Sequence, residues 1–279
     1  MSILDVDDFD LDKVLSKKSL RENYGLLPIE KTNTVDDIVF HEIKKLVNFV
    51  DLLPYKLECS KDCRFLGLLP IFNIRHENNV EISDDEPLLK DLHEIEDIGE
   101  IPLLGRYYSD QKKVVLYIKN IKKVGKDNNW QKLLTAVYIH ELYHAYFKTK
   151  PDLYTPIVEE PLAELGTLYT LDCMESIGIF DKGIHEYFLT EVSNKTGPIY
   201  FYGFGAELYR YSSHQDIGKI LEKFKKNWEK ILSKEQGIER HKKSLQTIIA
   251  QRSENQETKD TIKGACDSFY KLCGISLNK

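Results

Sequence analysis

The sequence predicts an α+β protein, with a small sheet in the middle of the chain and helices before and after it. Three observations predict it. Residues 113–118 read Lys-Val-Val-Leu-Tyr-Ile, a β-branched and imperfectly alternating run that predicts a strand. Just downstream, Leu134, Val137, Tyr138, Glu141, Leu142 and Ala145 recur at intervals of three and four, the helical period. The same period marks residues 7–20 and 35–53 near the start, and most of the chain after Asp216.

In chain order, residues 1–57 read as a helical N-terminal region. Its second helix is capped by Thr34, with Asp36 and Asp37 in the first turn. Residues 58–215 read as the central domain. Residues 64–75 and 103–108 are short apolar runs punctuated by Gly and Pro, and the acidic stretch 77–100 reads mostly as loop. Residues 109–112 make a turn that joins 103–108 to 113–118 as a hairpin, with 113–118 expected as an edge strand. The helix that follows can be capped by Asn128 or Asn129 and stops at Lys148, Lys150 and Pro151. Another helix opens at Thr155-Pro156 or Glu160-Pro161 and runs to about Ile177. Residues 216–279 read as a helical C-terminal region, in which Leu221, Phe224, Trp228 and Ile231 form an apolar stripe.

Composition narrows the classes of function. The 279 residues carry 39 basic and 45 acidic side chains, a net charge of −6, with no basic stripe to bind nucleic acid. No apolar run is long enough to cross a membrane, and the first residues lack the pattern of a signal peptide. The five cysteines (Cys59, Cys63, Cys173, Cys266 and Cys273) are odd in number and scattered, which predicts free thiols and a cytoplasmic location. Oligomeric state is open.

Residues 140–144 read His-Glu-Leu-Tyr-His. His140 and His144 fall one helical turn apart on one face, and two neutral imidazoles so placed can share one Zn²⁺. Glu141 beside them can take a proton from water as it attacks a carbonyl carbon. The surrounding helix is mostly apolar. Polar groups buried there without partners cost about 2–7 kcal/mol, which a metal site explains and a solvated face does not. Glu159, Glu160 and Glu164 follow on the next helix. Glu160 and Glu164 share a face; the nearer can complete a His₂Glu set with an open fourth position, and the other can orient a ligating imidazole.

With Glu160-Pro161-Leu162-Ala163-Glu164 after His140-Glu141-x-x-His144, the chain resembles the zincin metallopeptidases, in the branch whose third ligand is a glutamate on a following helix. The resemblance covers roughly residues 112–177 and picks out no particular family. It implies a zincin-like core of a small sheet plus active-site helices. It also implies one Zn²⁺ per chain held by His140, His144 and Glu160, Glu164 as the orienting residue, and Glu141 as general base. The gap from His144 to Glu160 is slightly shorter than in those enzymes, so Glu164 or Glu159 stays open as the third ligand. Such enzymes also place a donor near the developing oxyanion. Tyr202, Tyr209 and His214, in and after the aromatic run at 197–211, are the candidates, and Gly203 and Gly205 can allow close packing there.

The reading that follows is a soluble zinc peptidase acting on a peptide or protein. A zinc-binding regulatory or protein-interaction module with little hydrolysis is the alternative, and a helical interaction protein with a chance motif is the third. An intact Glu141 favours the enzyme, because a purely structural zinc site has no use for a general base.

Overall fold

In the computed structural model, the β-branched run becomes β4 (Lys113–Tyr117), an inner strand of a four-stranded mixed sheet. The structure describes residues 29–58, 77–89, 100–147, 155–176, 183–193, 200–212, 214–232 and 256–274. The sheet order is β1 (Ile29–Lys31), β2 (Asn79–Ser83), β4, then β3 (Gly105–Tyr108). β1 pairs with β2 and β2 with β4 in parallel, and β3 pairs with β4 antiparallel through the hairpin turn at 109–112. Lys112 takes a φ of 48° in that turn.

The expectation that residues 113–118 form an edge strand is corrected. β4 is hydrogen-bonded to β2 on one side and to β3 on the other, which makes it an inner strand, and Val114, Val115, Leu116 and Tyr117 are all buried. Among the described residues the edges are β1 and β3. Two further expectations change. β2 lies inside the acidic stretch read as loop, where Val80 and Ile82 point into the core and Glu81 pairs with Lys113 at 2.8 Å. β1 lies inside the N-terminal region read as helical; three residues are too short to show a period of two clearly.

The helices are α1 (Asp37–Glu58), α2 (Ile118–Phe147), α3 (Thr155–Ser176), α4 (Ile184–Ser193), α5 (Tyr200–Tyr211), α6 (His214–Leu232) and α7 (Gln256–Leu272). Asp36 accepts the Ile38 and Val39 N–H groups at 2.9 and 3.2 Å and caps α1. α2 breaks at Lys126, whose φ of 54° and ψ of −179° are not helical, so the motif-bearing segment starts just after it. The helix read at 7–20, the run at 64–75 and the Cys59–Cys63 pair lie outside the described residues.

The described residues cluster in two compact units, one within Met1–Lys148 and Thr170–Tyr187, the other within Thr149–Tyr169 and Phe188–Lys279. In the first, one face of the sheet (Val80, Ile82, Val114 and Leu116, all fully buried) is part of the core. Leu134, Val137, Tyr138, Leu142 and Ala145 of α2 are buried as their spacing predicts, and Leu133, Ala136 and Ile139 are buried with them. The Tyr143 hydroxyl meets Thr170 Oγ1 at 2.8 Å and ties α2 to the later turns of α3. In the second unit, Phe204 of α5 and Phe269 of α7 stack edge-on at 6.1 Å, and the Ser212 and Tyr270 hydroxyls are hydrogen bonded. Ile217, Ile220, Leu221 and Phe224 bury the apolar face of α6, while the side chains of Trp228 and Ile231 fall outside the described residues. Cys173, Cys266 and Cys273 are free, buried thiols.

Candidate metal centre

α2 presents His140 and His144 one turn apart, and the two rings converge. Their Nε2 atoms lie 3.1 Å from each other, with ring centroids 4.8 Å apart. Two nitrogens each bound to one tetrahedral zinc at about 2.0–2.1 Å would be about 3.3 Å apart, so the pair already has the spacing that a shared ion needs. Glu160 offers the third donor. One ligand atom from each of His140, His144 and Glu160 lies within 4.8 Å of the others. Two imidazoles and one carboxylate are the donor types of a catalytic zinc site, which keeps its fourth position for water. His144 is buried, while His140 and Glu160 are half-exposed.

Glu141 is buried and packs against the edge strand β3. A Cβ built on Gly105 of β3 would lie 2.9 Å from Glu141 Cγ, 3.0 Å from its Oε1 and 2.8 Å from Val137 Cγ1. Only a residue without a side chain lets β3 run this close to the carboxylate. Nearby, the Tyr117 hydroxyl meets the Tyr108 hydroxyl at 3.1 Å. Burial above all, then that hydrogen bond, raises the Tyr117 phenol well above its ordinary range, and the Glu141 charge adds to the shift.

Glu164 is fully buried in the second unit. Its Oε2 accepts the Gly205 N–H at 3.3 Å, and a Cβ on Gly205 would come within 2.4 Å of Glu164 Cβ. Gly205 thus does for α3 and α5 what close packing around an acid demands. Glu159 is also buried, but it is not one of the three converging donors.

Of the other candidates, Tyr209 is half-buried on α5, and Tyr202 and His214 lie on α5 and at the start of α6 with side chains outside the described residues. Gly105, Tyr108 and Tyr117 did not stand out in the sequence. The signal for Gly105 was a glycine inside an otherwise strand-like run, which marks a close backbone approach. Tyr108 and Tyr117 gave none, because the pair is made only when the hairpin closes. No protein-family model, curated protein or solved structure matches this chain. No helix among the described residues is long and apolar enough to cross a membrane.

Proposed function

We propose that this protein is a metal-dependent hydrolase whose nucleophile is water. Within that class it is a zinc peptidase of zincin-like design, acting on extended peptide chains. The observation that carries the reading is the convergence of His140, His144 and Glu160 beside a buried Glu141. An antiparallel edge strand packed against Glu141 supports it further, since an extended chain can pair there.

His140, His144 and Glu160 hold the ion. A bound zinc supplies Lewis acidity, polarising the carbonyl and lowering the pKa of the water that attacks it. Glu141 takes the proton from that water and passes it to the departing amine nitrogen. The packing of Gly105 and Val137 fixes where the Glu141 carboxylate stands, and Glu164 would orient a ligating imidazole.

Glu141→Gln tests this directly. It keeps the side chain's size and removes the base, so zinc content and thermal stability should stay near wild type while cleavage of a peptide library falls at least about 10²-fold. Equal cleavage by both proteins would remove Glu141 from the mechanism. A wild type that holds zinc but cleaves nothing across the library would favour a zinc-binding interaction module instead.

A further inference from the structure

Among the described residues, β3 carries an unused edge and, beside it, a cation with no carboxylate partner. The Tyr117 N–H donates to the Leu104 carbonyl at 2.9 Å, and with the Gly105–Leu116 and Arg106–Val115 register this fixes the ladder. In an antiparallel pair the hydrogen-bonded positions alternate, so Leu104, Arg106 and Tyr108 turn their backbone groups toward β4. Gly105 and Tyr107 turn theirs the other way. Residues upstream already use that outer edge: the Leu103 N–H donates to the Pro87 carbonyl at 3.0 Å and the Leu89 N–H to the Ile101 carbonyl at 2.8 Å. Among the described residues this pairing stops before Gly105, so β3 offers free donors and acceptors at strand spacing. Only an extended chain can satisfy such a row.

The side chains of Arg106 and Tyr108 project from the sheet face opposite the one on which Gly105 meets Glu141. The Arg106 guanidinium sits 4.6 Å from the centroid of the Tyr108 ring, and the Tyr108 hydroxyl is anchored by Tyr117 at 3.1 Å. Arg106 is half-buried, and among the described residues no carboxylate pairs with it. Lys113, on the same face, is neutralised by Glu81 at 2.8 Å. A partly desolvated guanidinium, held by an aromatic ring at a free strand edge, matches a carboxylate that arrives with the pairing chain.

We propose that an extended peptide pairs with the outer edge of β3 and that Arg106 receives an acidic side chain of that peptide. Side chains directly opposite each other across a strand pair lie on the same face, about 4.5–5.5 Å apart at Cβ. The acidic residue is therefore the one opposite Arg106, next to the residue opposite Gly105. Because Gly105 stands against Glu141, this residue flanks the bond to be cleaved. That last clause rests on the hydrolase reading; the peptide binding does not.

The test uses the zinc-supplemented full chain carrying Glu141→Gln, so that binding is read without turnover. Fluorescent, otherwise neutral extended peptides carry a single Glu or Gln at each position in turn, and their Kd values are measured by anisotropy. One position should prefer Glu about tenfold. Adding Arg106→Gln should bring that ratio to about one, and adding Arg106→Glu should make the same position prefer Lys; circular dichroism checks that both variants fold. A binding profile with no preference for Glu, or a preference that survives Arg106→Gln, overturns the proposal. Cleavage by wild type is scored separately. Arg106-dependent binding without cleavage defeats the hydrolase reading alone, and cleavage with no acidic preference defeats this proposal alone.

Discussion

Gly105 stands against Glu141 so closely that a Cβ at position 105 would fall 2.9 Å from the glutamate Cγ and 3.0 Å from its Oε1. A strand residue and a helix residue, 36 positions apart in the chain, thereby define one wall of the candidate site. The backbone of β3 occupies the space that a side chain would otherwise fill, and the Glu141 carboxylate has no room to turn toward it.

Gly105→Ala should therefore displace Glu141 without touching any of the three proposed ligands. Overpacking of this kind costs about 1–3 kcal/mol, which urea unfolding would read. Zinc content should persist while hydrolysis falls. Adding Val137→Ala removes one of the three contacts and should restore part of the stability. An Ala variant as stable and as active as wild type would mean that the wall moves freely.

The ligand assignments separate by which property each variant loses. His140→Ala, His144→Ala and Glu160→Ala should each abolish tight binding of about one zinc per chain, read by metal analysis. Glu164→Ala should instead weaken zinc about 10–100-fold. It should also lower stability, because truncating this fully buried side chain leaves a cavity against Gly205. The reverse ranking of Glu160 and Glu164 would transfer the ligand role to Glu164.

Tyr270 gives a pH dependence of stability. Burial is the largest cause that pushes its phenol from 10.0 up to about 12, against the opposing hydrogen bond with Ser212. The folded state thus favours the neutral phenol. The stability this contributes is complete below pH 10, the unfolded value, and is lost as pH rises from 10 through about 12. Urea unfolding across that window should fall more steeply for wild type than for Tyr270→Phe. Parallel curves would contradict the assignment.

Lys126 breaks α2 with a φ of 54°, a region that side-chain-bearing residues occupy at a cost of about 1–3 kcal/mol. Lys126→Gly removes that strain and adds chain entropy to the unfolded state. The net should be a gain of about 1 kcal/mol in urea unfolding. A loss of stability would show that the break is held by contacts of the lysine side chain.

Much of the helical frame was legible because a helix writes its burial into the sequence at a period of 3.6. Leu134, Tyr138 and Leu142 predicted the buried face of α2, and of the two starts read for α3, Thr155-Pro156 and Glu160-Pro161, the first is where it begins. The sheet was only half legible. The hairpin of β3 and β4 is local and its turn announces it, but β2 hides in an acidic stretch where one alternation, Val80-Glu81-Ile82, carries the signal. Its pairing with β4 and with β1 joins segments far apart in the chain, and nothing in either segment names its partner.

The sequence by itself determined the candidate groups: two histidines at helical spacing, the acid between them, and two further acids one turn apart on the next helix. Spacing along a helix is a local property, so no partner is needed to read it. Tertiary structure alone grouped a donor atom of Glu160 within 4.8 Å of those of His140 and His144 and buried Glu164 against Gly205. It alone made β3 an edge strand and brought Gly105 against Glu141. Those relations depend on packing between elements distant in the chain, where a missing side chain counts as much as a charged one, and periodicity carries no record of them.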